Sequence, residues 1–199
     1  MTTPYRQIRA RFDADTITVY QAYDPAIAEP ALAAQAFVGP FKRERMTWIK
    51  PSFLWMMYRC GWATKPGQTR VLAIELTRTG FEWALAHSSL SHPADDQNPE
   101  DRRAGLAAAP VRIQWDPERS LRLARMEHRS IQIGLSGEAV DRYVEEWIAS
   151  ISDVTDLARE TAADVEAGRI EDAERRLPVE HPYPLSPDLA TTVQTSTQP

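Results

Sequence analysis

Four side chains at alternate positions, Arg112, Gln114, Asp116 and Glu118, form the first group with the means to do chemistry. A guanidinium, an amide and two carboxylates in a row can hold a hydroxylated or phosphorylated ligand. Arginine forks onto phosphate oxygens, a carboxylate accepts ribose hydroxyl protons, and glutamine orients a polar group. Their alternation with Val111, Ile113 and Trp115 predicts a strand over 111–116 with one polar and one apolar face. A solvated sheet face with cross-strand charge pairs produces the same pattern. The second group joins Arg6, Arg9, Arg11, Arg45, Lys50 and Arg59 with Tyr5, Tyr20, Gln21, Tyr23, Trp48 and Trp55. Cations interleaved with aromatics bind phosphate and stack a base. The competing use of Trp48, Trp55 and Trp62 is as core, because each can bury a large apolar area.

Other chemistries have less to stand on. The histidines at 87, 92, 128 and 181 are scattered and show no metal-ligand spacing, so no metal site is expected. The single cysteine, Cys60, cannot form an internal disulfide and reads as a small buried hydrophobe. The chain carries no phosphate-loop glycine pattern, dinucleotide fingerprint or Gly-x-Ser-x-Gly elbow. Its net charge of −5 is unevenly spread: residues 1–80 hold 11 Lys/Arg against 6 Asp/Glu, and residues 81–199 hold 12 against 22. Either the N-terminal half presents an anion-attracting surface, for nucleotide phosphates or nucleic acid, or the two halves neutralise each other.

The elements that must position these groups follow from pattern and punctuation. Alternation predicts strands over 16–23 and 111–116, a nearly continuous apolar run predicts one over 71–76, and 45–50 and 130–135 are further strand candidates. Pro51 and Gly61 frame a two-turn helix over 53–60, with Phe53, Leu54 and Met57 on its buried face. A helix starts near Pro30 and ends before Gly39, and another covers 79–87. Residues 88–103 have loop composition, and Asp116-Pro117 suits a type I turn closing the strand before it. Ser136 can cap a helix whose stripe runs from Val140 to Ile151, with further helices over 154–166 and 170–177. These elements predict one α+β domain over 1–187, a mixed and mostly antiparallel sheet flanked by helices, the C-terminal ones on one side. After Pro182, Pro184 and Pro187, a Thr-, Ser- and Gln-rich disordered tail is expected over 188–199. With 43% apolar residues, no apolar leader, and no apolar stretch near the roughly 18 residues of a membrane span, a cytoplasmic protein without a membrane partner is expected.

The segments Tyr5–Ala10, Val19–Tyr23, Arg45–Arg59, Gln114–Arg119 and Arg129–Leu135 together resemble the family called domain of unknown function 4291, over roughly residues 4–187. At the level of fold alone the chain also resembles ADP-ribosyltransferases, which bind NAD in a cleft between two small sheets. That resemblance implies NAD as substrate, with an acidic residue stabilising an oxocarbenium-like ribose. On it, Gln114, Asp116 and Glu118 are the catalytic candidates, and Arg9, Gln21, Arg45, Trp48, Lys50, Arg59 and Arg112 the ligand-binding ones. The alternative is a non-catalytic nucleotide or nucleic-acid binding module built on the same residues. Both readings require Arg9, Arg45, Gln114 and Glu118 to surround one cleft.

Overall fold

In the computed structural model, which describes residues 3–91 and 109–196, the predicted early strand Thr16–Tyr23 is β2, preceded by a short β1 (Arg9–Ala10). There follow α1 (Pro25–Ala34), β3 (Thr47–Ile49), α2 (Phe53–Cys60), β4 (Arg70–Thr77), α3 (Arg78–Ala86) and β5 (Ser88–Leu90). The second half runs β6 (Val111–Arg119), β7 (Arg125–Leu135), α4 (Glu138–Arg142), a π-helical turn (Tyr143–Trp147) and β8 (Ile148–Asp153). It ends with α5 (Thr155–Glu166), α6 (Ile170–Arg176), β9 (His181–Pro182) and α7 (Pro187–Thr192). The domain is α+β. One sheet is antiparallel in the order β2-β4-β8; the other has the order β3-β7-β6-β5, with β5 parallel to β6. The two-stranded β1-β9 pairing is a third, minor ladder.

Strand β2 is covered on both faces: Ile17 and Val19 join the main core with Leu72, Ile74, Ile113 and Ile133, while Tyr20 joins a second cluster under α2 with Phe53, Met56, Met57 and Val71. The Ser52 hydroxyl caps α2 by accepting from Trp55 N–H at 3.1 Å, and Gly61 ends it in the left-handed region. Where β2 passes β3, a buried amide joins the two sheets. Gln21 Nε2 donates to Thr47 Oγ1 at 2.7 Å and to the Trp48 carbonyl at 3.1 Å, and its Oε1 accepts from the Tyr143 hydroxyl at 2.7 Å. A backbone bond from Tyr20 N–H to Lys50 O at 2.7 Å extends the seam.

Several expectations are corrected. Helix α1 begins at Pro25, because Asp24 accepts from Ala26 N–H, and Pro30 lies inside it. No turn forms at Asp116-Pro117: β6 runs on to Arg119, Pro117 opposing Arg129, and the chain reverses at Ser120–Ala124 with Leu123 left-handed. The helix expected through Ile151 ends at Trp147, since Ile148 and Ile151 pair with β4 as strand β8. Ser136 does not cap it; its hydroxyl donates to Pro110 O at 3.0 Å, and Gly137 takes the cap position. The loop expected from Ser88 starts with β5, and its stretch from residue 92 to 103 lies outside the described residues. Instead of a free tail, residues 187–196 fold back: Trp115 Nε1 donates to Val193 O at 2.8 Å and Ser196 N–H to Arg6 O at 2.9 Å. Residues 197–199 lie outside the described residues. Among the described residues no helix is long and apolar enough to cross a membrane.

Two substitutions test this packing. A Cβ on Gly80 would stand 2.3 Å from the Trp147 indole, so Gly80→Ala should lower stability by about 1–3 kcal/mol through overpacking. Gln21→Leu removes three hydrogen bonds and strands the Tyr143 hydroxyl, which should cost about 2–4 kcal/mol. Urea unfolding midpoints measure both, and an unchanged midpoint in Gln21→Leu would show that the sheets are joined without it.

Candidate functional site

Beyond the Gln21 seam the two sheets part, and the gap is a cleft of about 630 Å³. Its floor is the polar face of the second sheet. The register Gln114↔Gln132, with Trp48↔Gly134 beside it, sets these side chains in adjacent rows. The walls are the end of β2 with Tyr23, the 40–46 segment with Phe41, Lys42 and Arg45, and the face of α2 bearing Trp55 and Arg59. Gly134 matters to this arrangement: a Cβ there would meet the Trp48 indole at 2.9 Å and Met46 Sδ at 3.0 Å. The missing side chain lets the indole lie across β7.

The cleft carries positive charge. Lys42, Arg45, Lys50 and Arg59 line it together with four glutamines, at 21, 68, 114 and 132, and among the described lining residues there is no carboxylate. Lys50 is the buried member. Its Nζ donates to the Trp48 carbonyl at 3.0 Å and lies 5.5 Å from the centre of the Trp55 ring. Burial, and then the Arg59 charge, pull its ammonium down to about 7, against an upward pull from Asp116. Asp116 itself is tied by both oxygens, accepting from Gln114 Nε2 at 3.0 Å and Gln132 Nε2 at 2.5 Å.

The sequence candidates therefore divide. Gln21, Arg45, Trp48, Lys50, Arg59 and Gln114 line this one cleft, which unites residues from both sequence groups. Asp116 borders a neighbouring hollow of about 350 Å³ with Tyr5, Arg6 and Arg129. Arg112 lines neither, and its buried Nε has no hydrogen-bond partner. Arg9 and Glu118 are not at the cleft; they border a separate pocket of about 220 Å³ beside the start of α2. The single cleft required of Arg9, Arg45, Gln114 and Glu118 thus splits in two. Gln21 sits at the rear of the cleft with its amide spent on the seam, so it positions the site. Lys42, Gln68 and Gln132 were missed, since only pairing across strands brings Gln132 beside Gln114.

A family model described as Domain of unknown function (DUF4291) matches residues 7–183. The chain belongs to this family. The match takes in every element that lines the cleft and both strands of its floor. No curated protein matches the sequence.

The smaller pocket is mixed in charge where the cleft is basic: Glu118 and Glu180 line it with Arg9, Arg119 and His128. Glu180 accepts from Phe53 N–H at 2.8 Å, at the first turn of α2, and Glu118 accepts from Ser52 Oγ at 2.9 Å and Arg119 N–H at 2.7 Å. Burial pushes Glu118 up, and pushes Glu180 up to about 8, the latter reinforced by the Glu118 charge. Among the described residues no group of three or more His, Cys, Asp or Glu could hold a metal ion.

Because Glu180 binds its proton more tightly folded than unfolded, its stabilisation is complete below its ordinary value of 4.5 and is lost as pH rises through about 8. Glu180→Gln keeps the acceptor for Phe53 N–H and cannot ionise. Its urea midpoint relative to the natural chain should rise between about pH 5 and about pH 9; a constant difference would show that Glu180 is already ionised at the lower pH.

Proposed function

We propose that the cleft between the two sheets binds a nucleotide. The observation that supports this most is its lining: four basic side chains and no carboxylate among the described residues, beside the aromatic rings of Tyr23, Phe41, Trp48 and Trp55 and the amides of Gln68, Gln114 and Gln132. Arg45 and Arg59, both exposed, are placed to meet phosphate oxygens, as guanidiniums do in bidentate fashion. Trp48, partly exposed above Gly134, supplies a stacking surface for a base. Gln68, Gln114 and Gln132 offer donors and acceptors to a base edge or a ribose. The volume falls within the roughly 300–1,000 Å³ of small-molecule sites.

NAD is the nucleotide of the finer reading, in which the protein is an enzyme of ADP-ribosyltransferase type. That chemistry needs a carboxylate whose field reaches the ribose as nicotinamide leaves. Asp116 is the acid of that reading, because its charge acts on Lys50 at the cleft floor, whereas Glu118 borders the other pocket. Gln114 and Gln132 would then hold the carboxylate in place.

Titration calorimetry with ATP, NAD and ADP-ribose tests the binding, and release of labelled nicotinamide tests the transfer. Replacing Arg45 or Arg59 with Ala removes a charge-assisted hydrogen bond of about 1.5–3 kcal/mol, so affinity should fall roughly ten- to hundredfold with folding unchanged. Absence of binding by all three nucleotides would overturn the reading. Single-stranded RNA or DNA that binds where free nucleotides do not, with an affinity falling steeply with salt, would assign the cleft to a non-catalytic nucleic-acid module. Binding without nicotinamide release, or release undiminished in Asp116→Asn, would exclude the transferase step as drawn.

A further inference from the structure

Lysine is rare in this chain: of 23 cationic side chains only three, Lys42, Lys50 and Lys65, are lysine and the rest arginine. The difference is chemical, since arginine stays charged in proteins while a lysine amine can lose its proton and become a nucleophile. One of these three is also withdrawn from water by the fold, as among the arginines Arg119 is. Lys50 is only 6% exposed, yet it lines the cleft. Its backbone is locked at the seam, its carbonyl accepting Tyr20 N–H at 2.7 Å. Its Nζ has one hydrogen bond among the described residues, to the Trp48 carbonyl, which already accepts from Gln21.

A lysine kept as a buried structural charge needs a carboxylate partner to offset its desolvation. None hydrogen-bonds Lys50 among the described residues, and the nearest acid to act on it, Asp116, has both oxygens engaged by Gln114 and Gln132. The other groups around it are Arg59 and Cys60 from α2, with Lys42 and Arg45 from the 40–46 segment lining the same cleft. This surrounding disfavours the ammonium and leaves the free amine, the arrangement by which a desolvated lysine near another cation becomes reactive toward carbonyl compounds.

We propose that Lys50 is the nucleophilic amine of the cleft and forms an imine with a phosphorylated aldehyde or ketone, the phosphate being held by Arg45 and Arg59. The proposal rests on the anion-binding reading of the cleft and does not require that the anion be a nucleotide. The amine lone pair attacks the carbonyl carbon and a C–N bond forms. The carbonyl oxygen then leaves as water with both amine hydrogens, giving C=N with no change in oxidation state.

Pyridoxal 5′-phosphate, an aldehyde with a phosphate, is the probe. It is incubated with the full-length protein, trapped with borohydride, and the labelled lysine mapped by mass spectrometry. Lys42 and Lys65 serve as internal references. Lys50 should label at least about tenfold faster than either at neutral pH, with a rate whose midpoint lies near 7 rather than in the ordinary lysine range of about 10.4. Pyridoxal without the phosphate should label Lys50 more slowly by a similar factor, and Lys50→Arg, which keeps the charge, should give no adduct at 50 while retaining its circular dichroism. Equal labelling of the three lysines, or preference for Lys42 or Lys65, overturns the proposal; equal rates with and without phosphate overturn the role given to Arg45 and Arg59. ATP separates the two readings. Selective labelling that ATP does not slow sinks the nucleotide reading and leaves the amine, whereas ATP binding by calorimetry without selective labelling sinks the amine and leaves the nucleotide.

Discussion

Much of this structure depends on one buried amide. Gln21 belongs by sequence to the sheet β2-β4-β8, but its side chain donates to Thr47 and Trp48 of the other sheet and accepts from Tyr143 in the π-helical turn. An amide withdrawn from water must find partners for its donors and acceptor or lose on the order of 1–3 kcal/mol for each group left unpaired. Those partners exist only when β2, β3 and the turn at Tyr143 are brought to the same place. The demand of one polar group thereby sets the angle at which the sheets meet. The Tyr23 hydroxyl, 3.1 Å from Thr47 Oγ1, adds one more tie between the sheets, and beside it the cleft opens.

The cleft and the smaller pocket lie on two sides of the same helix. Helix α2 presents its first turn to Glu118 and Glu180, where its unsatisfied N–H groups favour carboxylate oxygens. Its later face, carrying Trp55 and Arg59, turns to the cleft. Both glutamates lie on the side of its first turn, with Arg9 and Arg119, while the cleft side carries cations alone among the described lining residues. Asp116 would be the exception, and its two glutamine partners keep its oxygens occupied beside the cleft floor. A site so arranged keeps an uncompensated positive potential for an anion to neutralise.

Elements whose identity is carried by local pattern were legible in the chain. Thr16–Tyr23 and Phe53–Cys60 have the bounds that β-branched alternation in the first and the Pro51 and Gly61 frame of the second imply. The polar row of 112, 114 and 116 on β6 was equally plain. The failures lie where a distant partner overrides local preference. Residues 148–151 continue a helical stripe, yet β4 offers an open ladder of backbone groups, and pairing with it wins. Asp116-Pro117 suits a turn, but the antiparallel partner β7 continues past it and keeps the chain extended. Residues 187–196 are rich in Thr and other polar residues, and they are held by Trp115 and Arg6, more than 70 positions away.

What the sequence by itself determined is the class of fold, the strand and helix that flank Pro51, and the kinds of chemistry available: guanidinium, amine, amide and indole, without a metal-ligand spacing or a glycine-rich phosphate loop. Which of these groups act together was decided by tertiary structure alone. Gln114 and Arg45 meet at one cleft while Glu118 and Arg9 meet at another pocket, because register across β3-β7-β6 and the position of α2 are long-range facts. The same holds for Lys50. The sequence offers it as one cation among several, and only the burial of its amine beneath the seam, away from any paired carboxylate among the described residues, makes it a chemically distinct group.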